Sequence, residues 1–265
     1  MIEIKCSNCG DLALLFKTIS NVVDTAIILF SKNKIEIQGM DCSKTSLIQT
    51  FLNKQFFTEY SFEKEENLQI TLDFKILNKI FKTSKNKSVV LKIKEPFEKI
   101  KILFENNETK IKYNINVLED ETEIMNFPTI DYSNNIIVSS KYLKNIVSDL
   151  GNFSPENLNI FTKKNKIYFR IKSDLSTVKY ELKSFKKFKI TKPKNKLIKN
   201  TLFCELSKIE NSTNLMFNFD LIDNFIKNHI SKTTHFMFKN DKPLKLFCDL
   251  KNNSNLCCYI APNIE

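Results

Sequence analysis

The sequence is poor in the residues that build phosphate-binding loops and catalytic centres. Its 265 residues include only three glycines, which lie too far apart to form a phosphate-cradling loop. The two histidines, His229 and His235, are accompanied by no nucleophile elbow and no paired metal-ligand spacing. These shortages argue against an enzyme, and we predict no catalytic residue and no cofactor.

The seven cysteines do not follow a disulfide or metal-binding pattern. Their number is odd, their spacing is irregular, and the chain starts with a strand-like run instead of a secretory leader. We therefore expect a reducing intracellular compartment. Cys6 and Cys9 have the spacing of half a zinc site, but no second ligand pair follows. Buried thiols are favoured there, and no metal site is predicted.

Long apolar runs are also missing, whereas lysine is abundant. No run approaches the roughly 20 apolar residues that span a bilayer, so no membrane association is predicted. The 41 Lys and Arg residues outnumber the 30 Asp and Glu residues, which gives a net charge of +11. A basic chain favours polyanionic partners. The lysine-dense stretch 183–200 is interpreted as an irregular solvated loop, with nucleic-acid contact or a nuclear-import signal as alternatives.

Features of the first half of the chain recur in the second half in the same order. The run 67–73 recurs as 214–220, and Pro96 recurs as Pro243 at the same offset of 147 residues. Two copies of one unit point away from an enzyme with a single asymmetric cleft. The predicted domains are residues 1–117 and 135–265, and residues 118–134 are the predicted connector between them.

Hydrophobic periodicity predicts two short amphipathic helices in each half. Apolar residues step at intervals of three or four within 12–23, 74–81, 142–150 and 221–226. Asp73 and Asp220 stand at equivalent positions immediately before two of these runs, and we predict that both cap a helix. Most of the remainder alternates apolar and polar residues, as short strands do. The predicted fold is α+β, with two similar domains of antiparallel sheets backed by two helices.

The connector is unusual because apolar residues follow its acidic start. Residues 119–123 contain four carboxylates, and Met125, Phe127 and Pro128 come next. Apolar side chains on an exposed loop favour a functional role. The alternative is that they only pin the connector to the body of the protein.

Two motifs resemble a known family. The run from Ile35 to Gln49 contains Met-Asp-x-Ser-x-x-Ser-Leu-x-Gln, and the chain ends in Ala-Pro-Asn-Ile-Glu. Both are similar to the proliferating cell nuclear antigen family of replicative DNA sliding clamps. The resemblance implies a homotrimeric ring of six domains with helices lining the hole. It also implies a processivity factor that does no covalent chemistry and keeps a polymerase near its template by tethering.

The resemblance assigns residues to three surfaces. The helix lysines implied to face DNA are Lys17, Lys79, Lys82, Lys144 and Lys227. The pocket implied for partner peptides comprises Met40, Lys44, Leu47, Met125, Phe127, Pro128, Pro243, Tyr259, Ala261 and Pro262. The residues implied to pack between subunits, on edge strands at 109–117 and 175–183, are Ile111, Tyr113, Ile115, Val178 and Tyr180.

The implied partners are double-stranded DNA bound without sequence specificity, two further copies of the chain, a DNA polymerase, a clamp loader and other proteins with clamp-binding peptides. The implied location is the nucleus in a eukaryote and otherwise the cell interior. The alternative is a DNA-binding polymerase accessory subunit that forms no ring and works by charge alone. Mass in solution and the salt dependence of DNA binding separate the two hypotheses.

Overall fold

The computed structural model describes residues 1–83, 87–106, 108–119, 124–127, 129–173, 175–191, 198–210, 212–228 and 230–263. The chain forms two compact units. The first comprises Met1–Phe127 and Asp249–Leu256, and the second comprises Pro128–Cys248 and Cys257–Glu265. Among the described residues, each unit contains two α-helices and two groups of antiparallel strands, so the predicted α+β fold with two similar domains is confirmed.

The first unit is built from nine strands, two α-helices and one 3-10 helix. In chain order they are β1 Ile2–Cys6, α1 Gly10–Ser20, β2 Thr25–Phe30, β3 Lys34–Met40, β4 Ser46–Asn53, the 3-10 helix Lys54–Phe56, β5 Glu59–Phe62, β6 Leu68–Asp73, α2 Phe74–Lys82, β7 Ser88–Ile93, β8 Lys99–Glu105 and β9 Lys110–Asn116. Five strands form a sheet in the order β5-β1-β7-β8-β9, and the other four are ordered β4-β3-β2-β6.

Aromatic rings join the helices of the first unit to its five-stranded sheet. Phe16 of α1 meets Phe74 and Phe81 of α2 edge-on, at centroid distances of 5.6 and 4.8 Å. Phe81 in turn contacts Phe104 of β8 at 5.1 Å. Such pairs stabilise a core beyond the burial of their area. The apolar stripes seen in the sequence therefore lie against the sheet, and the polar stripes face away from this core.

The second unit repeats this plan with ten strands. Its elements are β10 Asn134–Ser139, α3 Ser140–Gly151, β11 Asn157–Lys163, β12 Lys166–Lys172, β13 Thr177–Leu182, β14 Phe185–Thr191, β15 Ile198–Lys208, β16 Asn214–Asn218, α4 Phe219–Ile226, β17 Thr233–Phe238, β18 Leu244–Asp249 and β19 Asn255–Ile260. The strands are ordered β13-β12-β11-β16 in one sheet and β14-β15-β10-β17-β18-β19 in the other group. No helix among the described residues is both long and apolar enough to cross a membrane.

The structure corrects the predicted N-cap of α4, which is Asn218 and not Asp220. Asp73 caps α2 as predicted, and its carboxylate accepts a hydrogen bond from the Ile76 N–H at 2.9 Å. The cap of α4 is Asn218, whose side chain accepts from the Leu221 N–H at 3.2 Å, and Asp220 lies inside the first turn. The helices thus begin at an offset of 145 residues, not 147. Strand side chains alternate with a period of two, so a slip of two residues leaves the apolar pattern intact.

The lysine-dense stretch 183–200 is also corrected, because it contains strand β14 and the start of β15. These strands pair antiparallel from Phe185↔Cys204 to Thr191↔Ile198. The apolar residues of β14 do not alternate regularly, since lysines occupy both registers. Pairing with β15 supplies the order that local pattern does not predict. Residues 192–197 lie outside the described part of the chain.

Candidate functional site

The hairpin between β3 and β4 carries the acidic residue of the signature motif. Asp41 accepts hydrogen bonds from the Ser46 N–H at 2.5 Å, from the Thr45 hydroxyl at 3.1 Å and from the Ser43 hydroxyl. Burial opposes ionisation of Asp41, but these donors together hold its pKa below the ordinary value. Asp41 therefore has a structural role in this turn. Its carboxylate replaces missing backbone partners in the turn.

A surface depression lies beside this turn, within the first unit. It is lined by Thr25, Ala26, Ile27, Gln38, Gly39, Met40, Asp41, Cys42, Lys44, Leu47 and Met125. Four predicted pocket residues thereby come together. They differ in exposure, since Leu47 is 3% exposed and forms the floor, whereas Met125 is 40% exposed and stands at the rim. Met40 is half-buried, and Lys44 is exposed. An unbranched, polarizable methionine adapts its shape to an apolar partner.

The depression requires β2 and β3 to approach closely at Gly39. A Cβ at this position would lie 2.9 Å from the Thr25 carbonyl oxygen and 2.9 Å from Cγ2 of Val23. Both distances are shorter than side-chain carbons tolerate. The glycine of the signature is therefore needed for close packing of the wall, since the backbone oxygen has little freedom to move.

Gln38 is the lining residue with the most specific contacts among those that the sequence prediction missed. Its side chain is 2% exposed, and it donates to the Met125 carbonyl oxygen at 2.9 Å. It also accepts from the Met125 N–H at 2.7 Å. A buried amide must find partners for both its donor and its acceptor. A lone glutamine between Ile37 and Gly39 on an otherwise buried strand is the sequence signal that points to such a partner.

The other six predicted pocket residues are not among the described residues that line the depression. Phe127 is half-buried and belongs to the first unit, and Pro128 is outside the described residues. The second unit carries the other four, which are Pro243, Tyr259, Ala261 and Pro262.

Contacts within the second unit hold Tyr259 and the segment after Pro262 in place. Tyr259 is buried, and burial raises the pKa of its phenol. The Lys245 ammonium lies 5.4 Å from the centroid of this ring. After Pro262, the Asn263 N–H donates to the Met216 carbonyl oxygen at 2.7 Å, which fixes the end of the described chain against β16.

The predicted DNA-facing lysines are not equivalent. Lys17, Lys79 and Lys82 are exposed on α1 and α2. Lys144 and Lys227 are half-buried, and the Lys227 ammonium donates to the side-chain oxygen of Asn224.

The surrounding charges differ between the helices as well. Helix α2 has basic residues and no acidic one, and its Lys75 forms an ion pair with Asp24 at 2.7 Å. Helix α4 carries Asp220 and Asp223 within its bounds and no basic residue. Helix α2 is therefore more positively charged than helix α4.

The predicted interface residues lie on strands at the ends of their sheets. Strand β9 ends the five-stranded sheet of the first unit, and β13 ends the four-stranded sheet of the second. Ile111 and Tyr113 are half-buried on β9, and Val178 and Tyr180 are half-buried on β13. The fifth residue, Ile115, is 7% exposed. An end strand leaves one row of N–H and C=O groups without a neighbour in its own sheet.

The cysteine pair of the first unit is buried. Desolvation raises the pKa of Cys6 to about 11 and also raises the pKa of Cys9. Metal binding needs the thiolate, which burial disfavours. Within the described residues no group of three or more His, Cys, Asp or Glu side chains is arranged to hold a metal ion.

Comparison with known proteins finds a matching family model and relatives that are DNA sliding clamps. A family model described as "Repair protein Rad1/Rec1/Rad17" matches residues 1–236. The DNA polymerase sliding clamp of Thermococcus onnurineus (strain NA1) is 24% identical over 265 residues, covering 99% of this chain and 98% of that protein. Proliferating cell nuclear antigen 1 of Plasmodium falciparum (isolate 3D7) is 30% identical over 159 residues, or 58% of this chain and 57% of its own.

A solved structure extends the likeness to the whole fold. The crystal structure of proliferating cellular nuclear antigen from Entamoeba histolytica superposes with a TM-score of 0.84 at 17% identity and covers 99% of both chains. The fold is that of the DNA sliding clamps to which the chain is similar. The chain belongs to the family of the repair proteins Rad1/Rec1/Rad17, and its curated relatives are sliding clamps of the proliferating cell nuclear antigen type.

Proposed function

We propose that three copies of the chain close into a ring around duplex DNA and tether replication and repair proteins to it. The ring does no covalent chemistry, and its work is topological. A closed ring does not leave the duplex sideways, so a tethered polymerase stays at high effective concentration near its template. In a eukaryotic source this activity is placed in the nucleus.

The observation that carries the proposal is the pair of end strands. In each copy, β9 and β13 have an unpaired backbone row and half-buried apolar side chains. We propose that β9 of one copy pairs antiparallel with β13 of the next. This pairing satisfies the open backbone groups and covers Ile111, Tyr113, Val178 and Tyr180. Each copy offers one strand of each kind, so the contact is heterologous, and three such contacts close a ring when each rotates the next copy by a third of a turn.

The helix lysines support a sliding contact and not a tight one. Lysine is a flexible, strongly hydrated point charge, so it attracts phosphates without fixing their geometry. We assign Lys79 and Lys82 the largest share of the attraction to DNA phosphates, because they are exposed on helix α2, which carries no acidic residue. Lys17 adds to them, and Lys144 and Lys227 contribute less because they are half-buried. These contacts reach the phosphate backbone and do not read sequence.

Partner proteins are proposed to insert an apolar and aromatic plug into the depression of the first unit. Met40 and Met125 supply adaptable walls, and Leu47 supplies the floor. Phe127, Pro128, Pro243, Tyr259, Ala261 and Pro262 are assigned to partner binding by the family resemblance. A polymerase and a clamp loader are the proposed partners.

Two measurements test this function. Three copies of the 31.0 kDa chain give a mass of about 93 kDa. A ring loaded on closed circular DNA stays bound in high salt and is released when the circle is cut. An accessory subunit held by charge alone runs below this mass, and salt removes it from circles and linear DNA alike.

A further inference from the structure

The side chain of Gln38 holds the connector to strand β3 in the way that a neighbouring strand would. Its amide nitrogen donates to the Met125 carbonyl oxygen at 2.9 Å, and its amide oxygen accepts from the Met125 N–H at 2.7 Å. Both backbone groups of Met125 are thereby satisfied by one side chain. Among the natural side chains, only a primary amide offers a donor and an acceptor side by side in this way.

Strand β3 has a neighbouring strand on each side at Gln38. Gln49 of β4 and Ile27 of β2 lie opposite Gln38, so the connector does not pair with the edge of β3 here and contacts the Gln38 side chain instead. The connector has a second attachment, where the Leu118 N–H donates to the Thr71 carbonyl oxygen at 2.9 Å. Leu118 and Met125 are therefore two separate anchor points within the first unit.

The Gln38 contact fixes a residue of the candidate pocket. The Met125 side chain is 40% exposed and lines the depression together with Met40 and Leu47. Its position depends on its backbone, which the Gln38 amide holds in place. An unanchored connector has more conformations available, and binding a peptide then has to restrict them.

We infer that Gln38 is a positioning residue for partner binding, which presets the Met125 side chain at the rim of the depression. This inference rests on the proposed function, since it concerns how the same depression receives a peptide. Gln38 acts through the backbone of Met125 and need not touch the partner.

The test uses the full-length protein with Gln38→Ala and Gln38→Glu. The first removes both hydrogen bonds. An ionised glutamate accepts from the Met125 N–H, but it has no donor and places negative charge against the Met125 carbonyl oxygen. Gln49→Ala is the matched control, because Gln49 is also a buried glutamine of this sheet and donates to Glu36 at 3.2 Å.

Two quantities are measured for every variant. The first is the affinity for a labelled synthetic peptide with one aliphatic and one aromatic side chain, by fluorescence anisotropy. The second is amide hydrogen exchange at Met125 and at Leu118. We expect both Gln38 variants to bind the peptide about tenfold more weakly, and Gln38→Ala to lose protection at Met125 while Leu118 stays protected. Gln49→Ala should leave peptide affinity and Met125 exchange within about twofold of the original chain.

Three results overturn the inference. The Gln38 variants bind the peptide as tightly as the original chain, or Gln49→Ala weakens binding as much as Gln38→Ala, or Met125 exchange is unchanged in Gln38→Ala. A failure of the proposed function looks different, because the original chain then binds no peptide at all. In that case Met125 exchange alone decides whether Gln38 anchors the connector.

Discussion

Tyr180 of β13 donates a hydrogen bond from its hydroxyl to the Asp149 carboxylate of α3, at 3.3 Å. Burial raises the pKa of Tyr180, and the nearby Asp149 charge raises it further. The end strand is thus fixed to the helix behind it. A strand held in position offers its open backbone edge to a partner without first being ordered, which favours pairing between copies.

The interface proposal predicts that Tyr113→Ala shifts the ring toward monomers. The Tyr113 ring meets Phe104 edge-on at 6.0 Å and is half-buried on β9. Its loss removes apolar area that subunit pairing would bury, which raises the dissociation constant about tenfold or more. Mass photometry over a dilution series measures the change. Tyr60→Ala on β5, at the opposite end of the same sheet, should lower stability and leave the mass unchanged.

The pocket proposal predicts that Met40→Ala weakens a clamp-binding peptide. Removing this wall of the depression costs about 1–2 kcal/mol, or roughly tenfold in affinity. Phe127→Ala should act in the same direction. Titration calorimetry measures both variants, with Leu118→Ala as control because Leu118 is 40% exposed, as Met125 is, and is absent from the lining. Unchanged affinity in both Met40→Ala and Phe127→Ala removes the pocket assignment.

The charge proposal predicts that α2 dominates contact with DNA. Changing Lys79 and Lys82 to alanine together should reduce the salt dependence of DNA binding by about one phosphate contact for each lysine. Lys99→Ala on β8 is the control, since Lys99 is also exposed but lies on a sheet strand. A similar loss from the Lys99 variant would show that binding follows net charge and not the helix face.

Acid should weaken the turn between β3 and β4. The folded protein holds the pKa of Asp41 below its ordinary value of 3.8, so the unfolded chain binds its proton at higher pH than the folded one does. The stabilisation is therefore full above that value and is lost as pH falls through the folded pKa. Asp41→Ala should cost about 1–3 kcal/mol at pH 7. In melting curves from pH 7 to 2, the gap between this variant and the original chain should narrow with acidification.

The helix caps give a direct test of the corrected repeat. Asp73→Ala and Asn218→Ala each remove an N-cap hydrogen bond and should each cost about 1 kcal/mol of unfolding free energy. Asp220→Ala should cost only a few tenths of that, since its carboxylate interacts with the helix dipole without capping. Urea denaturation of the three variants distinguishes the two registers. A larger loss from Asp220→Ala than from Asn218→Ala would contradict the structure.

The local pattern of apolar residues predicts the helices and strands of this fold better than it predicts how the strands pair. The amphipathic runs around Phe16 and Leu143 give helices because each buries one stripe, and alternation gives strands such as β9 within a residue of their bounds. Strand β14 is not predicted, because its lysines obscure the alternation of apolar and polar residues. Pairing with β15 forms this strand. The predicted cap at Asp220 is two residues too late, because a two-residue shift leaves the alternating pattern of the preceding strand unchanged.

In the candidate site too, local sequence predicts individual residues but not their long-range contacts. The signature run predicts that Met40 and Leu47 matter, and the structure places both in one depression with Met125. Nothing local to the sequence joins Gln38 to a residue 87 positions later. Such a contact follows from the path of the connector over the sheet, which only the folded chain defines.

Retention on DNA of different topology tests the central claim most directly. The protein is loaded by a clamp loader, the proposed partner, onto nicked circular duplex. The DNA is washed in high salt and then treated with an enzyme that linearises the circle. Enclosure predicts that the protein remains on the intact circle and dissociates within the time needed to slide off the new ends. Loss from the intact circle at the same rate as from linear DNA would contradict the account.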